Sequence, residues 1–200
     1  LTNVGTLTAS VTGIIVRDGS GNDVTNYFTN KNTSSTAPIE ITRKPVTITV
    51  SDATKVYGDD DPTFEYATIS DYIGSDLNSI DLSVDRSKDD EDVGDYIGVL
   101  IINDSENDLE EVYTNYDFTL DAGDFTIDPA EVTVTAIADS KIYGDADPKF
   151  EAKVSGLKNG DDITVIKYTL TRTEGENVDD DYEIIPNGDS VQGNYTVKYE

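Results

Sequence analysis

The chain has 200 residues, of which 41 are Asp or Glu and 14 are Lys or Arg, a formal charge of −27. So acidic a chain is repelled by nucleic-acid phosphates and anionic membrane surfaces, and no apolar run approaches the ~20 residues that span a bilayer. Cysteine, methionine, tryptophan and histidine are absent, which excludes disulfides, cysteine nucleophiles and histidine-dependent triads.

In chain order, residues 1–42 close on Ile39-Glu40-Ile41-Thr42, and Arg43-Lys44-Pro45 leads into Val46-Thr47-Ile48-Thr49-Val50. That run alternates β-branched apolar and hydroxyl residues, which predicts a half-buried strand. Lys55-Val56-Tyr57-Gly58-Asp59-Asp60-Asp61-Pro62 follows, rich in turn formers. A second strand is predicted over Thr63–Ala67 with Phe64 inward, and a short helical turn within Ser70–Ile80. Further strands are predicted at Leu82–Val84, Tyr96–Ile102, Tyr116–Leu120 and Phe125–Ile127. An acidic run, Asp89-Asp90-Glu91-Asp92, lies between the first two of these.

Then the pattern starts again. Val132-Thr133-Val134-Thr135 repeats Val46–Thr49, and Lys141-Ile142-Tyr143-Gly144-Asp145-Ala146-Asp147-Pro148 repeats the turn-rich motif, both 86 residues later. Gly74 maps onto Gly160, Asp76 onto Asp162, Arg86 onto Arg172 and Tyr96 onto Tyr182 at the same spacing. Asn115-Tyr116 returns as Asn194-Tyr195 only 79 residues on, so the second copy has a loop shorter by seven. In this copy strands are predicted over Lys149–Lys153, Ile163–Leu170 and Tyr195–Tyr199, with a helical turn within Gly156–Asp162. Such a period marks tandem domains. Residues 43–128 read as one module and 129–200 as a second that lacks its Gly-x-Phe-Thr-Ile closing strand. Residues 1–42 read as the back half of a preceding module, with Asn26-Tyr27 standing where Asn115-Tyr116 stands. The whole reads as a piece of a longer array.

With its paired Lys-x-Tyr-Gly-Asp-x-Asp-Pro motif and the Val93-Gly94-Asp95-Tyr96 step, the chain resembles the MBG domain of the Tyr-Gly-x type, found in mucin-binding and other large adhesins of Gram-positive bacteria. The second copy reads Val178-Asp179-Asp180-Asp181-Tyr182 at that step, so a loop change is expected there. The resemblance implies a mainly β, β-grasp-like module, with an immunoglobulin-like β-sandwich as the alternative. It also implies an extracellular, bacterial cell-surface location, with wall attachment through other parts of the parent chain. The missing cysteines fit that location.

Four chemical readings attach to particular residues. Tyr57, Gly58, Asp59, Asp61 and Pro62, with Tyr143, Gly144, Asp145, Asp147 and Pro148, form either a sugar-stacking platform or a turn that each module needs for folding. The folding role is preferred, because a motif in every copy usually encodes the fold. Asp59, Asp60 and Asp61, and Asp179, Asp180 and Asp181, offer the oxygen ligands calcium prefers, without the EF-hand pattern. Solvated loops are the plainer account of such runs. Lys55 with Asn115, and Lys141 with Asn194, are candidate partners for an intramolecular amide cross-link, against a surface lysine and a turn asparagine. Catalysis by paired carboxylates is disfavoured, since 41 acids supply such pairs by chance. The expectation is therefore a non-catalytic adhesin stalk whose partners are its neighbouring modules. Direct binding of host mucin or glycan is the alternative.

Overall fold

The computed structural model describes residues 5–12, 15–27, 34–179 and 181–200. In chain order the elements are β1 (Gly5–Thr12), a 3-10 turn (Thr25–Tyr27), β2 (Ser34–Ile41), β3 (Lys44–Val50), β4 (Ala53–Val56), β5 (Tyr66–Ile69), β6 (Val84–Arg86) and β7 (Gly94–Ile102). Then come α1 (Glu106–Val112), β8 (Tyr116–Asp121), β9 (Gly123–Asp128), β10 (Ala130–Ala136) and β11 (Ala152–Ser155). A second 3-10 turn (Ile163–Val165), β12 (Thr169–Arg172), β13 (Ile184–Asn187), β14 (Val191–Gln192) and β15 (Tyr195–Tyr199) complete the order. The protein is mainly β, as its alternating runs predict.

It divides into two compact units, residues 1–48, 68–81 and 104–120 in one and 49–67, 82–103 and 121–200 in the other. In the first unit, β1 and β2 form an antiparallel hairpin in which Gly5 faces Ile41. That is the pairing Gly94 makes with Ile127 in the first full copy. β3 is the middle strand of a sheet ordered β5-β3-β8. Its inward residues Val46 and Ile48 are buried, as are Leu77, Ile80, Leu109, Tyr116 and Phe118.

The second unit holds a sheet ordered β4-β9-β7-β6 and another ordered β11-β10-β15-β14. β9 lies parallel to β4 and antiparallel to β7, with Phe125 opposite both Ala53 and Tyr96. Phe125 and Ile127 are fully buried there. In the other sheet, β10 and β15 are a central parallel pair, each flanked by an antiparallel neighbour. First and last strands side by side and parallel suit a β-grasp-like sheet. The sandwich alternative is built from antiparallel strands, and two parallel pairs depart from it. β12 and β13 form a separate two-stranded ladder.

Several boundaries differ from the sequence-based expectation. β5 and β11 each begin three residues later than the predicted runs Thr63–Ala67 and Lys149–Lys153. Pro62 and Pro148 have no N–H to donate, and the residues after them carry no ladder. Ile163–Leu170 is not one strand: Asp162 accepts from Thr164 N–H (2.9 Å), caps a 3-10 turn, and leaves only Thr169–Arg172 extended. Asn26-Tyr27 sits in a 3-10 turn, whereas Tyr116 opens a strand. The helical turn expected within Ser70–Ile80 is a run of hydrogen-bonded turns. The helix is α1 instead, seven residues with a Ser105/Asp108 capping box. It falls in the region that the second copy shortens by seven.

The repeat register also slips by one in a loop. Tyr116 and Tyr195 each accept from a backbone N–H and donate to an aspartate, namely Ile73 and Asp76, then Lys158 and Asp161. Left-handed backbone occurs at Asp71 and Gly74 and again at Gly156, Asn159 and Gly160. The tyrosine partners therefore set Asp76 against Asp161, and by the same offset Gly74 against Asn159, with left-handed Gly160 one place further on. Asn takes this conformation at lower cost than most residues, so the backbone geometry is kept without glycine.

Phe125 fills the middle of its sheet at 0% exposure, whereas Ile97 on β7 is 73% exposed. Phe125→Ala is expected to cost about 3–5 kcal/mol by leaving a cavity. Ile97→Ala should stay within about 0.5 kcal/mol, both read by urea denaturation.

Candidate functional site

The Tyr-Gly motif folds as a tight turn at the end of β4. Asp59 N–H donates to Val56 C=O (3.0 Å), and Gly58 takes φ +79°. The second copy has the same turn, with Asp145 N–H to Ile142 C=O (3.0 Å) and Gly144 at φ +91°. A turn with positive φ at its third residue requires glycine in practice.

The two tyrosines have different surroundings. Tyr57 is 7% exposed, while Tyr143 is 69% exposed. The Tyr57 ring meets Tyr195 edge-on at 5.4 Å, and its hydroxyl donates to Asp161 (3.1 Å), which also accepts from the Tyr195 hydroxyl (2.6 Å). Lys158 pairs with Asp59 (2.9 Å). A Cβ on Gly58 would stand 2.5 Å from Lys158 Cβ, so the close approach excludes any side chain there. Nearby, Asn194 accepts from Val93 N–H (2.9 Å) and donates to Asp92 (2.9 Å). These contacts join the first copy to the second, and none is visible in the motif alone.

A second cluster surrounds Asp61. Its carboxylate takes Lys55 (2.6 Å) and Arg86 (3.1 Å), and Glu91 pairs with the same two cations. Lys55 Nζ and the Arg86 guanidinium stand 5.9 and 5.0 Å from the centre of the Phe125 ring. The second copy rebuilds the group: Asp147 takes Lys141 (2.8 Å) and Arg172 (2.9 Å), and Glu176 pairs with both. Hydrogen bonding to Lys55 leads in holding the Glu91 carboxyl below its ordinary range, and bonding to Arg172 does the same for Asp147. Burial alone would lower the Lys55 value, but Asp61 and Glu91 raise it overall.

This four-charge ring is what the sequence reading missed. Its signal was present in the repeated Lys55–Asp61 and Lys141–Asp147 spacings and in the Arg86–Arg172 match. Of the calcium candidates, Asp59 and Asp61 are paired with cations, Asp60 is exposed, and Asp179 accepts from Asp181 N–H (3.3 Å). Asp180 lies outside the described residues. Among the described residues no group of three acids is arranged to hold a metal ion. Of the cross-link candidates, Lys55 and Lys141 are held by carboxylates, and the Asn194 side chain by Asp92 and Val93. The Asn115 carbonyl accepts from Lys44 N–H (2.9 Å). Pro62 and Pro148 follow the motif turns, three residues past Asp59 and Asp145. No helix among the described residues is long and apolar enough to cross a membrane.

Two tests follow from these clusters. The Lys55 side chain is 4% exposed, so Asp61→Asn leaves a buried cation with Glu91 as its one remaining carboxylate and should cost about 1–2 kcal/mol in urea denaturation. Asp147→Asn should cost clearly less, because Lys141 is more exposed at 22%. The Tyr195 phenol is pushed up to about 12, first by burial and then by its bond to Asp161. The fold thus favours the neutral phenol. Its contribution is complete below the ordinary tyrosine value of about 10 and is lost as pH rises towards about 12. A carbon-13 NMR titration of tyrosine Cζ should find this late group, and Asp161→Asn should move it back towards 10.

The family model that matches the chain is described as MBG domain (YGX type), and it covers residues 46–126 and 132–200. No curated protein and no solved structure matches it. The two matched stretches are the two copies of the repeat and together take in most of the residues. The chain belongs to the MBG domain family of the YGX type.

Proposed function

We propose that this chain is a non-catalytic spacer segment of a bacterial surface adhesin, in which successive modules are locked end to end and hold a distal part of the protein away from the cell. The observation that carries this reading is the use made of Tyr57. A residue available for ligand stacking is instead buried against Tyr195 and hydrogen-bonded to Asp161. Gly58 admits the approach of Lys158, and Asn194 ties the same joint to Val93 and Asp92. The motif thereby links one module to the next. A charge of −27 suits the role, because it keeps repeated β modules soluble and opposes edge-to-edge association. Mucins are acidic through sialic acid and sulfate, so the same charge repels them until contact distances.

Direct glycan binding by the modules remains the second reading, favoured by one observation. Tyr143 is exposed and lies with Tyr182 on the wall of a cavity, and an aromatic face beside carboxylates is what sugar rings stack on.

Immobilised mucin separates the two. The spacer reading expects no saturable binding of the chain, with calcium or with chelator. Saturable binding that Tyr143→Ala abolishes would transfer adhesion to the modules, and loss on chelation would give the aspartate loops a metal role. Spin labels either side of the joint supply the positive test. Their distance distribution should be narrow and should broaden in a Tyr57→Phe, Asp161→Ala double variant.

A further inference from the structure

The second copy contains a cavity of about 350 Å³. Its walls include Asp139, Lys141, Phe150, Arg172 and Tyr182. Each lies 86 residues after a residue that surrounds Phe125 in the first copy. Ala53 and Tyr96 stand opposite Phe125 in the ladders, Phe64 meets its ring edge-on at 5.5 Å, and Lys55 and Arg86 cover its face. The cavity therefore has the lining of the Phe125 pocket without a phenylalanine in it. Its volume is more than twice the roughly 150 Å³ that accommodates a benzene.

The backbone around the cavity is open in the corresponding way. In the first copy β9 lies between β4 and β7 and ladders with both. In the second, β13 ladders only with β12 among the described residues, and residues 139–142, which stand where β4 stands, form no ladder. The four charges at the cavity rim, Lys141, Asp147, Arg172 and Glu176, are already assembled. Arg172 rests on the Tyr182 ring at 5.6 Å, whereas its counterpart Arg86 covers Phe125.

We infer that this cavity is an acceptor for an extended peptide strand of the Gly-x-Phe-x-Ile type, the chemistry of Gly123–Asp128. The strand runs parallel to residues 139–142 and antiparallel to β13. Its phenylalanine enters between Phe150 and Arg172, and its backbone completes the open ladder edges. Addition of a strand to an exposed edge gains main-chain hydrogen bonds, and the side-chain pocket supplies selectivity. This does not rest on the spacer reading, since a glycan-binding module would have the same vacancy.

The probe is a synthetic peptide with the sequence of residues 122–129, titrated into the 200-residue chain. The readout combines calorimetry with NMR shifts at Phe150, Tyr182 and Arg172. Saturable binding is expected, with shifts confined to the cavity and β13. Replacing the peptide's phenylalanine by alanine should weaken binding roughly 100-fold, the effect of removing a well-buried aromatic. A second measurement removes the entropic cost of association. The same segment, joined after Glu200 through a short flexible linker, should raise Tm relative to the alanine version. Equal behaviour of the phenylalanine and alanine sequences in both formats overturns the proposal, as does shift perturbation away from the cavity.

Discussion

The arrangement of the first module depends on the burial of Phe125 beneath two cations. A phenyl ring withdrawn from water contributes about 2–3 kcal/mol, and it needs a lid. Lys55 and Arg86 supply that lid with their stems and charged heads, at the cost of bringing those heads out of solvent. Asp61 and Glu91 offset that cost by pairing with both. Once the ring is in place, β9 is fixed between β4 and β7, and the parallel β4–β9 ladder sets where the Tyr-Gly turn emerges. Tyr57 N–H donates to the Asp128 carbonyl (2.8 Å), so the turn is tied to the end of the same strand. From one buried ring, the position of the joint follows.

The motif then separates into tasks that its regular spelling conceals. Lys55 and Asp61 serve the lid over the core. Gly58 serves the turn and the close approach of Lys158. Tyr57 and Asp59 serve the junction with the following copy, and Pro62 keeps the next residues out of a ladder. Asp161 accepts from both Tyr57 and Tyr195, so one carboxylate couples a tyrosine of each copy. This explains how a solvent-rich, acidic sequence builds a specific joint with few apolar atoms. Each polar group placed there has a named partner, which is the condition for burying it.

Much of this was legible in the amino-acid sequence, and the limits were physical. The alternation at Val46–Val50 and Val132–Ala136 located the central strands, because a half-buried strand must alternate. The 86-residue period located the modules. Tertiary pairing was not legible. Asp61 looked like one member of an acidic run, and only the fold brings Arg86 and Glu91 to it from residues 25 and 30 positions on. The helix at Glu106–Val112 has a capping box at Ser105 but too few apolar positions to show a period. The slip at Gly74 and Asn159 was hidden because a nearby glycine, Gly160, offered a false match. Asn159 and Gly160 are both left-handed, so only the hydrogen bonds of Tyr116 and Tyr195 reveal it.

Tyr57 and Tyr143 occupy identical positions in the repeat, yet one is buried and the other exposed. Intrinsic preference of the turn cannot explain the difference, since both turns have the same hydrogen bond and the same left-handed glycine. What differs is the surroundings. Tyr57 has β9 beside its strand and Tyr195 against its ring. Tyr143 follows a segment with no ladder and borders a cavity shaped like the Phe125 pocket. The proposed strand insertion would place the same kind of support beside the Tyr143 turn that β9 places beside the Tyr57 turn. A closing strand supplies the partner that orders the motif lysine run, and the ordered turn then presents its tyrosine to a neighbour. In the first copy, the packing of the core and the position of the motif turn are thus set by the same phenylalanine.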